Sequence, residues 1–455
     1  MNKKENKISK EIKINKKLAR RNYSNQTGIT LIALVVTIVV LLILAGVSLN
    51  AIFSENGIIK RAQDAQNKMN NAQESDLNAL NDLDKWINNQ VNGTTGGNTT
   101  GGNDNPSTTP KISTLVGKVV DKNTKAEDAY GNKITIPKGF KILEHNPTSS
   151  TGAVTYNYTN LEETGEHIPA VQDGIVIEDT QTGTAGNQFV WVPVGTIKNK
   201  NGSTNTITLG RYEFDSSTGA LKSTTPAQVA SVENCTKIVT ISKGGTDYQE
   251  LSTFREGNSA TNSTAQNATA RNLEEFISTT LANGGYYIAR FEASGTASKI
   301  ASKYNQTVLG NITQPNAAKV AREMYGEVKE NNELVYASDL VNSYAWDTAI
   351  VFIQTYSGKT DYASHNESIT TKAFTATGKN NDKYCNIWDM SGNAYEWTTE
   401  YSTSSHNSNF YPCVRRGGYY DTDSGVAINY TSARSYNNTT YSLSIVSLRS
   451  LLYVK

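Results

Sequence analysis

The chain has 455 residues, with 43 Lys and Arg against 42 Asp and Glu. The resulting net charge of +1, with no basic stripe of interleaved aromatics after residue 111, argues against a nucleic-acid partner. Three cysteines are too few for a disulfide framework, and none of the four histidines lies within four residues of another or of a cysteine, which excludes zinc and non-heme iron ligand spacings. The leader, residues 1–28, carries nine Lys and Arg against two Glu, so positive charge should hold it on the cytoplasmic side. Twenty-six uncharged residues follow, Ile29 to Ser54. Residues 29–53 are long enough to span a bilayer as a helix, for which about 20 residues suffice. Everything after residue 55 is then expected outside the cell. An ordinary signal anchor has the same composition.

The junction Gly28-Ile29-Thr30-Leu31-Ile32 resembles the processing site of type IV prepilins and pseudopilins. That resemblance implies a prepilin peptidase as partner, cleavage between Gly28 and Ile29, methylation of the new N-terminus, and retention of the apolar helix on the mature protein. It also implies other pilin subunits as partners in a pilus-like filament. The family's glutamate five residues into the mature chain is here Ala33, which removes the charge thought to pair with a neighbouring subunit.

Residues 54–87 place Ile58, Ala62, Ala65, Met69, Ala72, Leu80, Leu83 and Ile87 at spacings of mostly three and four, the pattern of an amphipathic stalk helix. Residues 88–110 are rich in Gly, Thr and Asn and hold one aliphatic residue. Such a segment is a flexible tether with a reach of about 25 Å. The head is residues 111–455. Gln188–Val194 and Tyr286–Glu292 read as strands. Residues 313–325, with an early proline, and 338–353, with Ser338 as cap, read as helices. Strands with segregated helices give an α+β fold class. A Cys385–Cys413 bridge is a pairing the extracellular location would allow.

Between Asn386 and Trp397, the residues Asp389, Asn393 and Glu396 gather around Gly392, with aromatics at 388, 395 and 397. Oxygen ligands at a turn that glycine lets close suit a hard cation such as Ca²⁺. A turn between two core strands whose tryptophans pack accounts for the same residues. The stretch Trp388–Trp397 resembles the signature of the sulfatase-modifying-factor (formylglycine-generating enzyme) domain. Val414-Arg415-Arg416-Gly417-Gly418-Tyr419, Ser432-Ala433-Arg434, Ser447-Leu448-Arg449 and, more weakly, Trp346-Asp347-Thr348-Ala349 follow the family's order. The resemblance implies a C-type-lectin-like fold and a structural calcium site using the Asp389 and Glu396 side chains with the carbonyls of Gly392 and Ala394. The family's copper-binding cysteines would fall at Thr422 and near Ala427, so thiolate-copper catalysis is not expected.

From Tyr419 to Ser444, 19 of 26 residues are Tyr, Ser, Thr, Asn or Asp, the composition of recognition surfaces. A polar loop without a partner has this composition too. Tyr419, Tyr420, Asn429, Tyr430, Tyr436, Asn437 and Tyr441 are the expected contacts for an extracellular protein or glycan ligand. The leading expectation is therefore a membrane-anchored, pilin-like surface protein with a non-catalytic, lectin-like head. An oxidoreductase of the sulfatase-modifying class and a structural minor pilin or pseudopilin are its alternatives.

Overall fold

The computed structural model describes residues 35–36, 109–157, 167–331, 333–367, 373–421 and 430–455. The chain divides into two units, Met1–Asn105 and Pro106–Lys455. The cleavage site Gly28–Ile29, Ala33, the stalk and the tether up to residue 108 lie outside the described residues. Of the apolar run, Val35 and Val36 are described, both helical and exposed. Among the described residues no helix is long and apolar enough to cross a membrane.

The strands of the two main sheets are, in chain order, β1 (Phe140–Ile142), β2 (Val176–Asp179), β3 (Gln188–Pro193), β4 (Ile241–Lys243), β5 (Thr246–Gln249) and β6 (Gly285–Ala289). There follow β7 (Glu327–Glu330), β8 (Glu333–Leu340), β9 (Tyr395–Ser402), β10 (Cys413–Arg416), β11 (Arg434–Asn437), β12 (Val446–Leu448) and β13 (Ser450–Val454). The α-helices among the described residues are α1 (Leu273–Asn283), α2 (Gln314–Glu323) and α3 (Ser343–Tyr356). Seven strands make an antiparallel sheet in the order β7-β8-β13-β6-β3-β2-β1. The second sheet runs β4-β5-β9-β10-β11, and β12 lies parallel against the start of β9. The head is thus β-rich with few helices.

The inner strands are apolar because both of their faces are covered. Every residue of β3 and β6 is buried; β3 falls where the sequence places it, while β6 ends at Ala289, three residues before the expected Glu292. Helix α2 begins at Gln314 with proline in its first turn, as read from the sequence. The expected helix over 338–353 starts later. Ser338 lies in β8, and Asn342 caps α3 by accepting from the Ala345 N–H at 2.9 Å. A largely buried strand running into a buried helix keeps its few polar residues inside, so no solvated break marks the boundary.

Helix α1 was not anticipated. Its local signals are the Asn272 cap, which accepts from the Glu275 N–H at 3.1 Å, acidic residues in the first turn, and Gly284 at φ 74° behind it. It packs on the seven-stranded sheet, with the Phe276 ring edge-on to Tyr286 at 5.5 Å and to Tyr453 at 5.9 Å. Helix α3 carries Tyr344, Trp346, Ile350 and Phe352 fully into the same core. The chain changes sheets between β12 and β13, and the residue at that step is Arg449.

Candidate functional site

The side chains of β9, β10 and β11 alternate between two faces of the second sheet. The register pairs Trp397 with Arg415 and Glu396 with Arg416 across β9 and β10, then Arg415 with Ser435 and Arg416 with Arg434 across β10 and β11. One face is therefore Tyr395, Trp397, Cys413 and Arg415. The other is Glu396, Glu400, Arg416 and Arg434.

The charged face is buried. The Glu400 carboxylate accepts from Arg211 Nη2 at 2.7 Å, Arg434 Nε at 3.0 Å and Arg416 Nη1 at 3.2 Å. Asp347, one turn into α3, takes Arg434 Nη2 at 2.6 Å and Arg416 Nη2 on its two oxygens and accepts the Tyr212 N–H at 2.9 Å. Burial alone would raise the Glu400 pKa, but the guanidiniums of Arg434, Arg416 and Arg211 outweigh it and hold it at about 2. Trp346 closes the network, its indole N–H donating to the Thr431 carbonyl at 2.9 Å.

A second buried group surrounds Arg449. Its Nε and Nη2 grip both Glu396 oxygens at 2.9 and 2.6 Å, while Nη1 and Nη2 donate to the carbonyls of Ala289 and Trp388, each at 2.8 Å. Nearby, Glu292 Oε1 accepts from Asn393 Nδ2 at 2.8 Å, while Glu292 Oε2 and Asp389 Oδ1 are buried without a hydrogen-bond partner among the described residues. Burial raises Asp389 to about 7, and burial with the Asp389 charge raises Glu292 and Asp382 well above the carboxylate range. Gly392 stands at φ 88°, where an added Cβ would lie 2.4 Å from the Glu367 carbonyl, so the tight closure expected there is present.

The expected calcium ligands are partly engaged by other groups in this arrangement. Glu396 meets Arg449 through both oxygens, and Asp389 Oδ2 accepts the Gly378 N–H at 3.2 Å, while Asp389 Oδ1 is buried without a partner among the described residues. An ion on Asp389, Glu396 and the carbonyls of Gly392 and Ala394 would share Glu396 with Arg449. Among the described residues no group of three or more His, Cys, Asp or Glu is arranged to hold a metal ion.

Glu250 ties the start of α3 to β9. It accepts from the Ser343 N–H at 2.8 Å, the Ser343 hydroxyl at 2.7 Å and the Thr399 hydroxyl at 2.6 Å. Burial outweighs these bonds and lifts its pKa to about 7. The folded chain therefore keeps a proton that the unfolded chain releases near pH 4.5. This stabilisation is full below that pH and is lost as pH rises through 7. Between pH 5 and pH 8 the wild type should lose about 2–3 kcal/mol more stability than Glu250→Gln. Parallel slopes in urea unfolding across that range would refute the assignment.

On the aromatic face the guanidinium of Arg415 lies 4.0 Å from the Tyr395 ring centroid and 5.2 Å from that of Tyr441, whose hydroxyl accepts from Arg415 Nη1 at 3.2 Å. Tyr419 packs on Tyr395 at 5.1 Å, Tyr420 on Tyr419 at 5.4 Å, and Phe374 edge-on to Tyr420 at 5.5 Å. Tyr419, Tyr420, Tyr441 and Arg415 are all part-exposed.

The expected ligand contacts therefore divide. Tyr419, Tyr420 and Tyr441 come together around Arg415. Tyr430 is a correction, because it is only 8 % exposed and lies under the Lys243 amine, which meets its ring and its hydroxyl. Tyr436 pairs with Val414 in the register, on the charged side of the sheet, and its ring meets Tyr411 at 6.3 Å. Asn437 pairs with Cys413 in the register, and Asn429, Thr422 and Ala427 lie outside the described residues. The Cys385–Cys413 pairing is also corrected. All three cysteines are free, and burial raises the Cys413 and Cys385 thiols well above their ordinary value.

Sequence reading missed Arg211, Glu250, Glu292, Asp382 and Glu400. A charged residue alternating along a strand signals a solvated face, and nothing local shows that a second layer covers it.

No family model and no curated protein matches the chain. Among solved structures, a crystal structure of CarF is 13 % identical over 38 % of this chain and 87 % of its own, with a TM-score of 0.27. PvdO from Pseudomonas aeruginosa is 9 % identical over 38 % and 82 %, with a TM-score of 0.24. The Major Tropism Determinant U1 variant is 13 % identical over 76 % and 98 %, with a TM-score of 0.23. Scores this low carry no argument about fold or activity.

Proposed function

We propose that the chain is a membrane-anchored, pilin-like surface protein whose head captures an extracellular ligand on the face formed by Tyr419, Tyr420, Tyr441 and Arg415. The observation that supports this is the Arg415 guanidinium held between the Tyr395 and Tyr441 rings, beside the half-open rings of Tyr419 and Tyr420. Tyrosine and arginine held rigid in this way form contacts that lose little entropy on binding. The ion network behind them stiffens the sheet from its other side. The uncharged run behind the basic leader supports the anchor, and the resemblance at Gly28–Ile29 supports prepilin-type processing. A C-type-lectin-like head belongs to the same reading. Buried thiols with raised pKa favour binding over thiolate chemistry for the cysteines present.

The test uses the full chain in detergent against an immobilised array of extracellular proteins and glycans. Tyr420→Ala and Tyr441→Ala should each weaken the wild-type signals by roughly tenfold or more, since buried aromatic contacts at interfaces cost about 2 kcal/mol on truncation. Thermal midpoints close to wild type would show that the head is intact. An array profile unchanged in both variants would rule out this face.

A further inference from the structure

A cleft of about 600 Å³ opens between the irregular stretch 250–271 and the exposed flank of α2. Phe254 lines it, half-exposed at 49 %. One face of that ring is covered by the Arg322 guanidinium, 5.0 Å from the centroid, and Arg322 is itself fixed by Asp339 at 3.1 Å. The ring is thus held by Arg322, which itself lines the cleft, and offers its other face as a platform. Around it stand Lys319, Asn316 and Arg322 from α2 and Arg271 from the irregular stretch, all able to donate. Glu256 and Glu323 line the same space and can only accept when ionised.

The mixed lining selects the ligand. An anion would meet two carboxylates, and a cation would meet Lys319, Arg271 and Arg322. A purely apolar ligand would leave all of these groups desolvated and unpaired. A polyol that both donates and accepts satisfies both signs at once, and the C–H face of a sugar ring matches an aromatic platform. We infer that this cleft binds a neutral saccharide, its ring stacked on Phe254 and its hydroxyls bridging Lys319 and Asn316 to Glu256 and Glu323. The inference does not rest on the tyrosine face, because none of its residues belongs to that face.

Saturation-transfer NMR on the full chain in detergent, with a panel of neutral methyl glycosides and their reduced disaccharides, tests it. At least one glycoside should receive saturation at its ring C–H protons, and Phe254→Ala should weaken its binding roughly tenfold or more. Phe254→Trp should retain it, and Lys319→Met should weaken it by a smaller factor. Tyr441→Ala should leave it unchanged, which separates this site from the array test above. The half-exposed position of Phe254 lets the alanine variant fold, and its unfolding midpoint checks this. Transfer to no member of the panel would overturn the inference, as would binding unaffected by Phe254→Ala. Uronate or sialate glycosides binding better than the neutral ones would overturn the charge assignment.

Discussion

Arg449→Met should destabilise the head by about 3–5 kcal/mol, because removing one partner of a buried ion pair leaves the other charge uncompensated. The arginine does more than balance Glu396. It also donates to the Ala289 carbonyl at the end of β6 and to Trp388 in the turn region, so its loss strands two further buried acceptors. Against a typical total stability of about 5–15 kcal/mol, this change would populate the unfolded chain measurably in low urea. The paired replacement Glu396→Met with Arg449→Met should recover a large share, since two apolar side chains of similar volume remove the stranded charge. Equilibrium unfolding of the two singles and the double measures the coupling directly. A single-variant loss below about 1 kcal/mol would mean that the pair is solvated and the assignment wrong.

Glu400→Gln should be comparably severe for a different reason. Its network holds three guanidiniums, Arg211, Arg416 and Arg434, against two carboxylates, Glu400 and Asp347, so the buried group already carries one excess positive charge. Removing the Glu400 charge doubles that excess in a dry interior, with an expected cost of about 3–5 kcal/mol. Arg211→Met instead brings the charges level and should cost less, even though it abandons the carbonyls of Val239 and Tyr248. The order of the two losses is the diagnostic. Because Glu400 titrates at about 2 when folded and near the ordinary carboxylate value when unfolded, its contribution is complete above about pH 4.5. It fades as pH falls towards 2, so the gap between wild type and Glu400→Gln should narrow in acid.

The segments that stood out in the sequence mark the interior of the fold more than its surface. Asp347, Arg416 and Arg434 meet in one network, and Glu396 meets Arg449 in the other. Their chain order was visible, but pairings between residues 69 and 87 positions apart leave no local trace. The strand β3 was legible because a wholly buried strand is apolar at every position. Trp388–Trp397 was legible as a tight turn because Gly392 is needed there for steric reasons. That Glu396 faces an arginine depended on residue 449, far along the chain. Tyr430 and Tyr436 show the limit of composition as a guide, since tyrosines in one polar stretch were divided between a packed interior and two sides of a sheet.

The order of strands in the larger sheet has a consequence for biogenesis. β13, residues 450–454, is not an edge strand but sits between β8 and β6, clasped on both sides. Until that segment emerges from the ribosome, β6 and β8 each present a bare hydrogen-bonding margin with no neighbour to close it. The segments before residue 450 must therefore remain without that partner until β13 is made, and a holding factor would have to guard those margins. Stalled nascent chains ending before and after residue 450 would show the difference as a sudden gain of protease resistance.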